Sequence, residues 1–293
     1  MGELRLRCKQ IGSEAVRPYR AAKRDLGELV IYIVLIAGCV ITLAPFVWML
    51  LTSFKTQIEA VSLPPTLLPK QWVGTAYATL KDKIPFFQMY ANTVITSAIT
   101  VLGQLLFCSL AGYAFARIRF PGRDALFVLC LAVLMVPSSF FILPQYIVIQ
   151  KLKLLNTLHA IYLPNLFSAF GTFLMRQFFL SLPKELEEAA RIDGCGHGGV
   201  FVKIMLPLVK PGLVSLGILT LRFAWNNLMW PLIVNTSTTK MTLTAGLSYL
   251  QGQYLSDYPA IMAGALLAVI PLIILFAIFQ KQFIEGIAFT GIK

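Results

Sequence analysis

The residues best suited to a specific chemical role lie in one polar segment, Glu185–Pro207, which reads ELEEAARIDGCGHGGVFVKIMLP. The segment lies between two apolar runs. It begins with carboxylates, at Glu185, Glu187, Glu188 and Asp193, and continues with a glycine-rich stretch. An ordinary amphipathic loop lying on lipid headgroups is one interpretation. Negative charge is poorly suited to the anionic inner leaflet, so docking of a cytoplasmic protein is favoured instead.

The local pattern predicts a short helix–turn–helix for this segment. Ser181 suits the N-cap and Pro183 the first turn, where the acidic side chains meet the positive end of the helix dipole. Gly194 permits a turn with positive φ, and a second helical stretch is expected after Gly199, broken at Pro207. The apolar face of the first helix is predicted to comprise Leu186, Ala189, Ala190 and Ile192.

Other chemistries lack the residues that they require. The five cysteines are scattered without a C-x-x-C pair, so neither a zinc site nor a disulfide framework is indicated, and His159 and His197 are far apart. No G-x-x-x-x-G-K-[ST] phosphate loop occurs, so the chain is not expected to hydrolyse ATP. Neither G-x-S-x-G nor H-E-x-x-H occurs. We therefore expect a non-catalytic chain with no metal or cofactor of its own.

Composition places the chain in a membrane. Hydrophobic residues make up 57% and charged residues 13%, and mean hydropathy is +0.75, whereas soluble domains carry roughly 25% charged residues. Because a spanning helix needs about 20 apolar residues, the sequence predicts an all-α membrane protein with six transmembrane helices. The predicted spans are Leu29–Leu51, Thr93–Ala116, Ala125–Ile142, Ile161–Leu180, Pro211–Val234 and Ala260–Phe279.

The distribution of lysine and arginine predicts the orientation of these spans. Cations are concentrated in the N-terminal arm, the second-to-third loop, the fourth-to-fifth segment and the tail, so this side, with both termini, is expected to be cytoplasmic. The formal net charge of +12 is spread over short segments, which favours anionic lipid over nucleic acid as its partner. We divide the chain into a basic arm (1–28), a six-helix transmembrane domain (29–284) and a cytoplasmic tail (285–293).

Beyond these patterns, the chain resembles the permease subunits of ATP-binding-cassette importers. Their cytoplasmic motif is E-A-A, three residues, G, nine residues, I-x-L-P, and Glu188 to Pro207 matches every fixed position. The fuller string LPKELEEAARIDG is similar to the carbohydrate, maltose-type branch. Further similar strings are AFARIRFPGRD (114–124), ILPQY (142–146), FLMRQFF (173–179), WNNLMWPL (225–232) and FIEGIAFTG (283–291).

The resemblance implies a type I importer permease fold in a bacterial inner membrane. It implies a second homologous permease, two cytoplasmic ATPases that bind ATP-Mg, and an extracytoplasmic sugar-binding protein. Residues 185–199 would form the coupling helix in an ATPase cleft, with Glu188 facing a basic residue there. The implied coupling residues are Glu185, Glu188, Ala189, Ala190, Asp193, Gly194, Ile204, Leu206 and Pro207.

Arg222 is the residue that bears on the substrate. It lies within the fifth predicted span, one helical turn before Trp225 and Asn226. Snorkelling towards an interface, a salt bridge to the second permease, and contact with an acidic uronate oligosaccharide all remain open. The competing class is a secondary transporter or channel subunit working without an ATPase. The polar residues Gln104, Ser109, Ser138 and Ser139 either line a cavity or form interhelical hydrogen bonds.

Overall fold

The computed structural model describes residues 26–251 and 256–291, and most of the predicted basic arm lies outside them. The regular structure of this part of the chain is helical, apart from an isolated bridge between Gln251 and Ser256. The helices are α1 (Leu26–Ser53), α2 (Gln57–Ala60), α3 (Thr75–Lys83), α4 (Phe86–Arg117), α5 (Arg123–Ala132), α6 (Ile142–Lys151), α7 (Leu158–Tyr162), α8 (Ala169–Ser181), α9 (Glu185–Ile192), α10 (His197–Val200), α11 (Leu206–Leu208), α12 (Lys210–Trp225), α13 (Met229–Val234), α14 (Leu243–Leu247) and α15 (Tyr258–Gly291). Short 3-10 segments lie at Val133–Met135, Ser138–Phe141, Leu163–Asn165, Thr238–Lys240 and Ser248–Leu250, and a π-helical turn at Phe201–Met205.

Within the described residues, three helices are individually long and apolar enough to cross a membrane: α1, α4 and α15. Three bent pairs pass the same test together, which gives up to six spans if each pair counts as one. The pairs are Arg123–Met135 with Ser138–Lys151, Leu158–Asn165 with Ala169–Ser181, and His197–Leu208 with Lys210–Trp225. The predicted all-α architecture is therefore confirmed, and the predicted six spans equal the count obtained when each bent pair is one span.

The third, fourth and fifth spans are interrupted in the structure, and the two parts of the fourth, Leu158–Asn165 and Ala169–Ser181, meet at 42°. The third breaks at Pro137, and its two halves meet at 101°, because proline cannot donate the backbone hydrogen bond that would continue the helix. The fifth ends as a helix at Trp225 and resumes only at Met229. The last span is not interrupted, and its helical backbone continues through the predicted tail to Gly291.

The described part of the chain divides into two compact units, with the boundary after Met49. In the second unit α4 is central, packing against both α8 and α12. The contact with α8 is close: a Cβ built on Gly112 would lie 2.7 Å from the Met175 Cβ and 2.9 Å from the Arg176 backbone nitrogen. Only a residue without a side chain allows the two helix backbones to approach this closely.

Two clusters of buried side chains lie at opposite ends of α4. The first contains Tyr113 and Ala116 near the C-terminal end of the helix, with side chains of α8, α9 and the π-helical turn. The second contains Phe86 and Met89 at the N-terminal end, with side chains of α3, α14 and α15. The polar segment identified in the sequence thus lies against the first cluster.

Candidate functional site

The polar segment folds as a helix, a tight turn and a second helical stretch. After α9 the backbone of Gly194 adopts φ +84°, as the sequence predicts. The Gly194 N–H donates to the carbonyl of Arg191 at 3.0 Å, and the Cys195 N–H donates to that of Ala190 at 2.9 Å. This pair of bonds forms a Schellman motif, which satisfies the last carbonyl groups of the helix and redirects the chain.

Two details of the predicted local structure are wrong. Ser181 is not the N-cap, because it is the last residue of α8 and donates its hydroxyl to the Phe178 carbonyl at 2.8 Å. Helix α9 begins after Lys184, which makes no side-chain capping bond. The second helical stretch starts at His197 rather than after Gly199, and leads into the π-helical turn.

Helix α9 has an exposed face and a buried face. Glu185, Glu188, Ala189 and Ile192 are exposed, the last by 86%, and their spacing places them along one side of the helix. Leu186 is also exposed, whereas Ala190 is only 4% exposed. The apolar face expected from the sequence is therefore wrong: Ala190 packs inward, and Leu186, Ala189 and Ile192 do not share its environment.

The buried face fastens the segment to the spans. Ala190 and Met205 belong to the same cluster as Tyr113 of α4 and Phe179 of α8. Phe201, in the π-helical turn, completes an aromatic trio, with ring centroids 5.1 Å from Tyr113 and 6.1 Å from Phe179. Aromatic side chains bury large apolar areas, so this packing couples the position of the segment to that of α4 and α8.

Arg117, the last residue of α4, connects the same three elements by polar contacts. Its Nε donates to the Phe179 carbonyl at 3.0 Å, and its Nη2 donates to the Phe179 and Leu182 carbonyls, each at 2.5 Å. Its Nε also lies 3.7 Å from Oε1 of Glu187 in α9, and the two side chains are 4% and 10% exposed. Sequence reasoning missed the role of Glu187 because three similar glutamates stand within four positions. Only the helical phase relative to Ala190 separates it from the others.

The remaining predicted coupling residues divide between the surface and the core. Asp193, Gly194 and Pro207 are exposed. Ile204 and Leu206 are partly buried against the first cluster. The structure thus brings the two halves of the predicted motif together on one core, and presents Glu185 and Glu188 outward from it.

The three residues predicted for the substrate pathway do not share one environment. Arg222 and Asn226 are exposed, and the Asn226 side chain donates to the Arg222 carbonyl at 2.9 Å. Trp225 is 4% exposed, donates its indole N–H to the Ala268 carbonyl at 3.0 Å, and contacts Tyr90 edge to face. In this conformation its ring therefore packs against other helices and is not open to a substrate.

Polar groups lie close to this part of α12. A narrow cavity is lined by Thr96, Thr100, Ile161, Asn165, Phe223, Ala224 and Asn227. Among the residues that the structure describes, no carboxylate lies within salt-bridge distance of Arg222, and no group of three or more histidine, cysteine or acidic side chains could hold a metal ion.

Comparison with known proteins shows which family the chain belongs to. Residues 104–288 match the family described as "Binding-protein-dependent transport system inner membrane component". The chain belongs to this family. The permease is a multi-pass inner-membrane protein and a non-catalytic component of an ATP-binding-cassette transporter.

Individual relatives of the permease cover most of its length. It is 38% identical over 260 residues to the arabinooligosaccharides transport system permease protein AraQ of Halalkalibacterium halodurans, covering 86% of this chain and 92% of the relative. It is 32% identical over 264 residues to the sn-glycerol-3-phosphate transport system permease protein UgpE of Escherichia coli O1:K1 / APEC, covering 86% and 93%.

A solved structure shares the fold. It is described as the crystal structure of a bacterial ABC transporter involved in the import of the acidic polysaccharide alginate. Its chain superimposes with a TM-score of 0.77 at 24% identity, covering 91% of the permease and 99% of that chain.

Proposed function

We propose that the permease forms half of the translocation pathway of an ATP-driven sugar importer and couples to cytoplasmic ATPases through α9 and the turn that follows. The observation that carries this proposal is the division of α9 into two faces. Its inner face is anchored to α4 and α8, whereas Glu185, Glu188 and Ile192 are presented outward. An exposed acidic helix on a rigid base is suited to docking in a basic cleft of another protein.

We infer a coupling mechanism that uses this geometry. Two ATPase subunits that bind ATP-Mg close on each other and displace the α9 segment, and Glu188 pairs with a basic side chain in the ATPase cleft. Because the segment is packed on the ends of α4 and α8, its displacement moves these helices with it. Two alternative packings of the spans then face inward and outward, and ATP binding shifts the population between them.

The proposed function requires further partners. A second, homologous permease supplies the other half, and an extracytoplasmic sugar-binding protein delivers substrate to the side opposite α9. The termini and the α9 segment face the cytoplasm in this assignment, as the distribution of lysine and arginine predicts.

The substrate class is an oligosaccharide, and an acidic one is the more specific candidate. Support for the class comes from the relative named for arabinooligosaccharides. Support for the acidic candidate comes from Arg222, an exposed cation at the end of α12 with no counter-charge among the described residues. The relative named for sn-glycerol-3-phosphate belongs to a system for an anionic substrate. A guanidinium binds carboxylates through two parallel hydrogen bonds.

The proposal is tested by reconstituting the permease, with its partner permease and ATPases, into vesicles that contain ATP. Sugar uptake is expected only when both ATP and the extracytoplasmic binding protein are supplied. A matched preparation with ADP serves as the control. Uptake by the permease pair without the ATPases would instead support a secondary transporter or channel and would overturn the proposal.

A further inference from the structure

We propose that Arg117 and Glu187 form a buried joint that transmits the movement of α9 to the spans, so that Arg117 is a positioning residue for coupling. This inference rests on the proposed function and deepens it. Arg117 ends α4, Glu187 lies in the first turn of α9, and the carbonyl groups that Arg117 contacts end α8. One side chain therefore meets the three elements that must move together.

The bonds from Arg117 to α8 explain why this position carries arginine. The last carbonyl groups of a helix have no partners within the helix, and they form the negative end of its dipole. Arg117 supplies two nitrogens to the carbonyls of Phe179 and Leu182 from one planar group. Lysine has a single nitrogen on a flexible stem and cannot reproduce this fork. These bonds to α8 fix the orientation of the guanidinium independently of its contact with α9.

The contact with α9 is of a different kind. At 3.7 Å, the separation between Arg117 Nε and Glu187 Oε1 is an ionic contact but too long for a hydrogen bond. Glu187 Oε1 is buried and has no hydrogen-bond partner among the described residues. A buried carboxylate without its counter-charge is costly, so Glu187 resists separation from Arg117. Because Coulombic attraction depends weakly on direction, the contact tolerates small rotations of α9.

The helices behind the joint cannot absorb its movement. The α4 and α8 backbones are in near contact at Gly112, and Tyr113 and Phe179 pack edge to face with centroids 5.5 Å apart. A force applied to Glu187 through α9 therefore acts on α4 and α8 as one body. The exposed acids Glu185 and Glu188 meet the ATPase, and the buried Glu187 passes the displacement inward.

The test uses the complete transporter in vesicles and measures sugar imported per ATP hydrolysed. Glu187→Gln keeps the side-chain size and removes the charge, and Arg117→Lys keeps the charge and removes the fork. Each is expected to lower this ratio about fivefold or more, in the range of coupling free energies between sites, while ATP hydrolysis and ATPase co-purification persist. The double variant is expected to lose no more than the worse single variant, since the two residues act as one unit.

A purely structural role gives a different result. In that case uptake and ATP hydrolysis fall in proportion to the amount of assembled complex, and the ratio stays within twofold of wild type in Glu187→Gln. That outcome overturns the inference. If Arg117→Lys does not accumulate in the membrane, Glu187→Gln alone decides, because it leaves the bonds from Arg117 to α8 intact.

The matched control is an ion pair in the first turn of α5. Arg123 and Asp124 lie 3.0 Å apart, and the Asp124 side chain is 74% exposed. Asp124→Asn is expected to leave the uptake ratio unchanged, since exposed pairs contribute little. Failure of the proposed function itself looks different again: the wild-type complex would then import sugar without ATP.

Discussion

The hydroxyl of Thr220 in α12 donates to the side-chain oxygen of Gln104 in α4 at 2.8 Å. The Gln104 amide donates in turn to the Asn165 carbonyl at 2.9 Å, and the residue is only 6% exposed. Of the two uses that the sequence leaves open for Gln104, the structure gives it the interhelical one. Interhelical hydrogen bonds of this kind fix the register of helices in lipid, so Gln104 joins α12 and the Leu163–Asn165 segment to α4.

The exposed position of Glu188 leads to a prediction for coupling. Glu188→Lys places a cation against a basic ATPase cleft, so we expect normal membrane insertion but loss of ATPase binding and of sugar uptake. Co-purification and vesicle uptake provide the measurement. Asp82→Lys, a charge reversal at an exposed residue of α3, is the matched control and should import normally. Wild-type uptake by Glu188→Lys would contradict the docking assignment.

The backbone at Gly194 provides a second prediction. Gly194→Val places a β-branched residue at φ +84°, a conformation that costs about 1–3 kcal/mol for residues other than glycine. A Cβ at this position meets nothing within 4 Å, so the strain comes from the backbone alone. We expect reduced co-purification of the ATPase.

Gly196 offers the matched control for that substitution. Its surroundings are equally open, but its φ is −72°, which any residue adopts. Gly196→Val should retain the ATPase, and equal losses in both variants would show that the turn conformation is not the cause.

The close approach of α4 and α8 leads to a third prediction. Gly112→Ala places its Cβ 2.7 Å from the Met175 Cβ and 2.9 Å from a backbone nitrogen that cannot move aside locally. We expect a loss of about 1–3 kcal/mol, typical of overpacking, seen as a lower unfolding temperature of the purified complex. Gly217→Ala meets its nearest atom at 3.9 Å and should be neutral or slightly stabilising, since alanine favours a helix. The same shift in both variants would contradict the backbone contact.

The position of Arg222 leads to a fourth prediction, for substrate selection. Arg222→Gln should reduce uptake of an acidic oligosaccharide at least about tenfold, because a carboxylate loses a charged, two-bond partner. Uptake of a neutral oligosaccharide of equal length should change little. Equal loss on both substrates, or no loss on either, would eliminate the acidic substrate and leave the importer assignment in place.

A fifth prediction concerns pH and the loop between α1 and α3. The Glu59 carboxylate accepts the Lys70 backbone N–H at 2.8 Å and the Thr66 hydroxyl at 2.9 Å. These bonds, the first above all, lower the pKa of Glu59 below its ordinary 4.5, with Lys55 and Lys70 also favouring the charged form. A lowered folded-state pKa means that this stabilisation is complete above the unfolded-state pKa and is lost as pH falls through the folded-state value.

We therefore expect the loop to loosen below about pH 4.5. Hydrogen exchange at the Lys70 amide, corrected for its intrinsic pH dependence, should lose protection over that range. Glu59→Gln removes the titrating group, so its corrected exchange should not vary with pH. Acid-dependent exchange in that variant would assign the effect to another group.

The sequence predicts which segments form spans better than how each span is shaped. Hydropathy locates six apolar runs, because the lipid core demands length and apolarity. Pro137 indicates an interruption, yet its missing hydrogen bond does not specify a bend of 101°, since that angle depends on the helices packed around it. The break after Trp225 has a weaker signal, because Asn226 and Asn227 are common at helix ends but are too few to interrupt the apolar run that defines the span.

At the candidate site, the sequence likewise predicts where the segment lies better than which of its side chains face inward. The spacing from Glu188 to Pro207 predicts the location of the segment, and Gly194 its turn. Which glutamate faces inward depends on the phase of α9, which the core around Ala190 fixes. That core is assembled from residues far apart in sequence, so no local pattern identifies Glu187 or its partner Arg117.

The contacts of Arg117 differ in whether they can produce correlated substitutions during evolution. Two of its three partner groups are main-chain oxygens, at Phe179 and Leu182, and a residue of any type supplies a carbonyl oxygen. Substitutions at these two positions thus require no compensating change at Arg117. Correlated substitution across homologues can report only its pairing with Glu187. Contact maps derived from alignments will therefore show one of the three contacts that Arg117 makes.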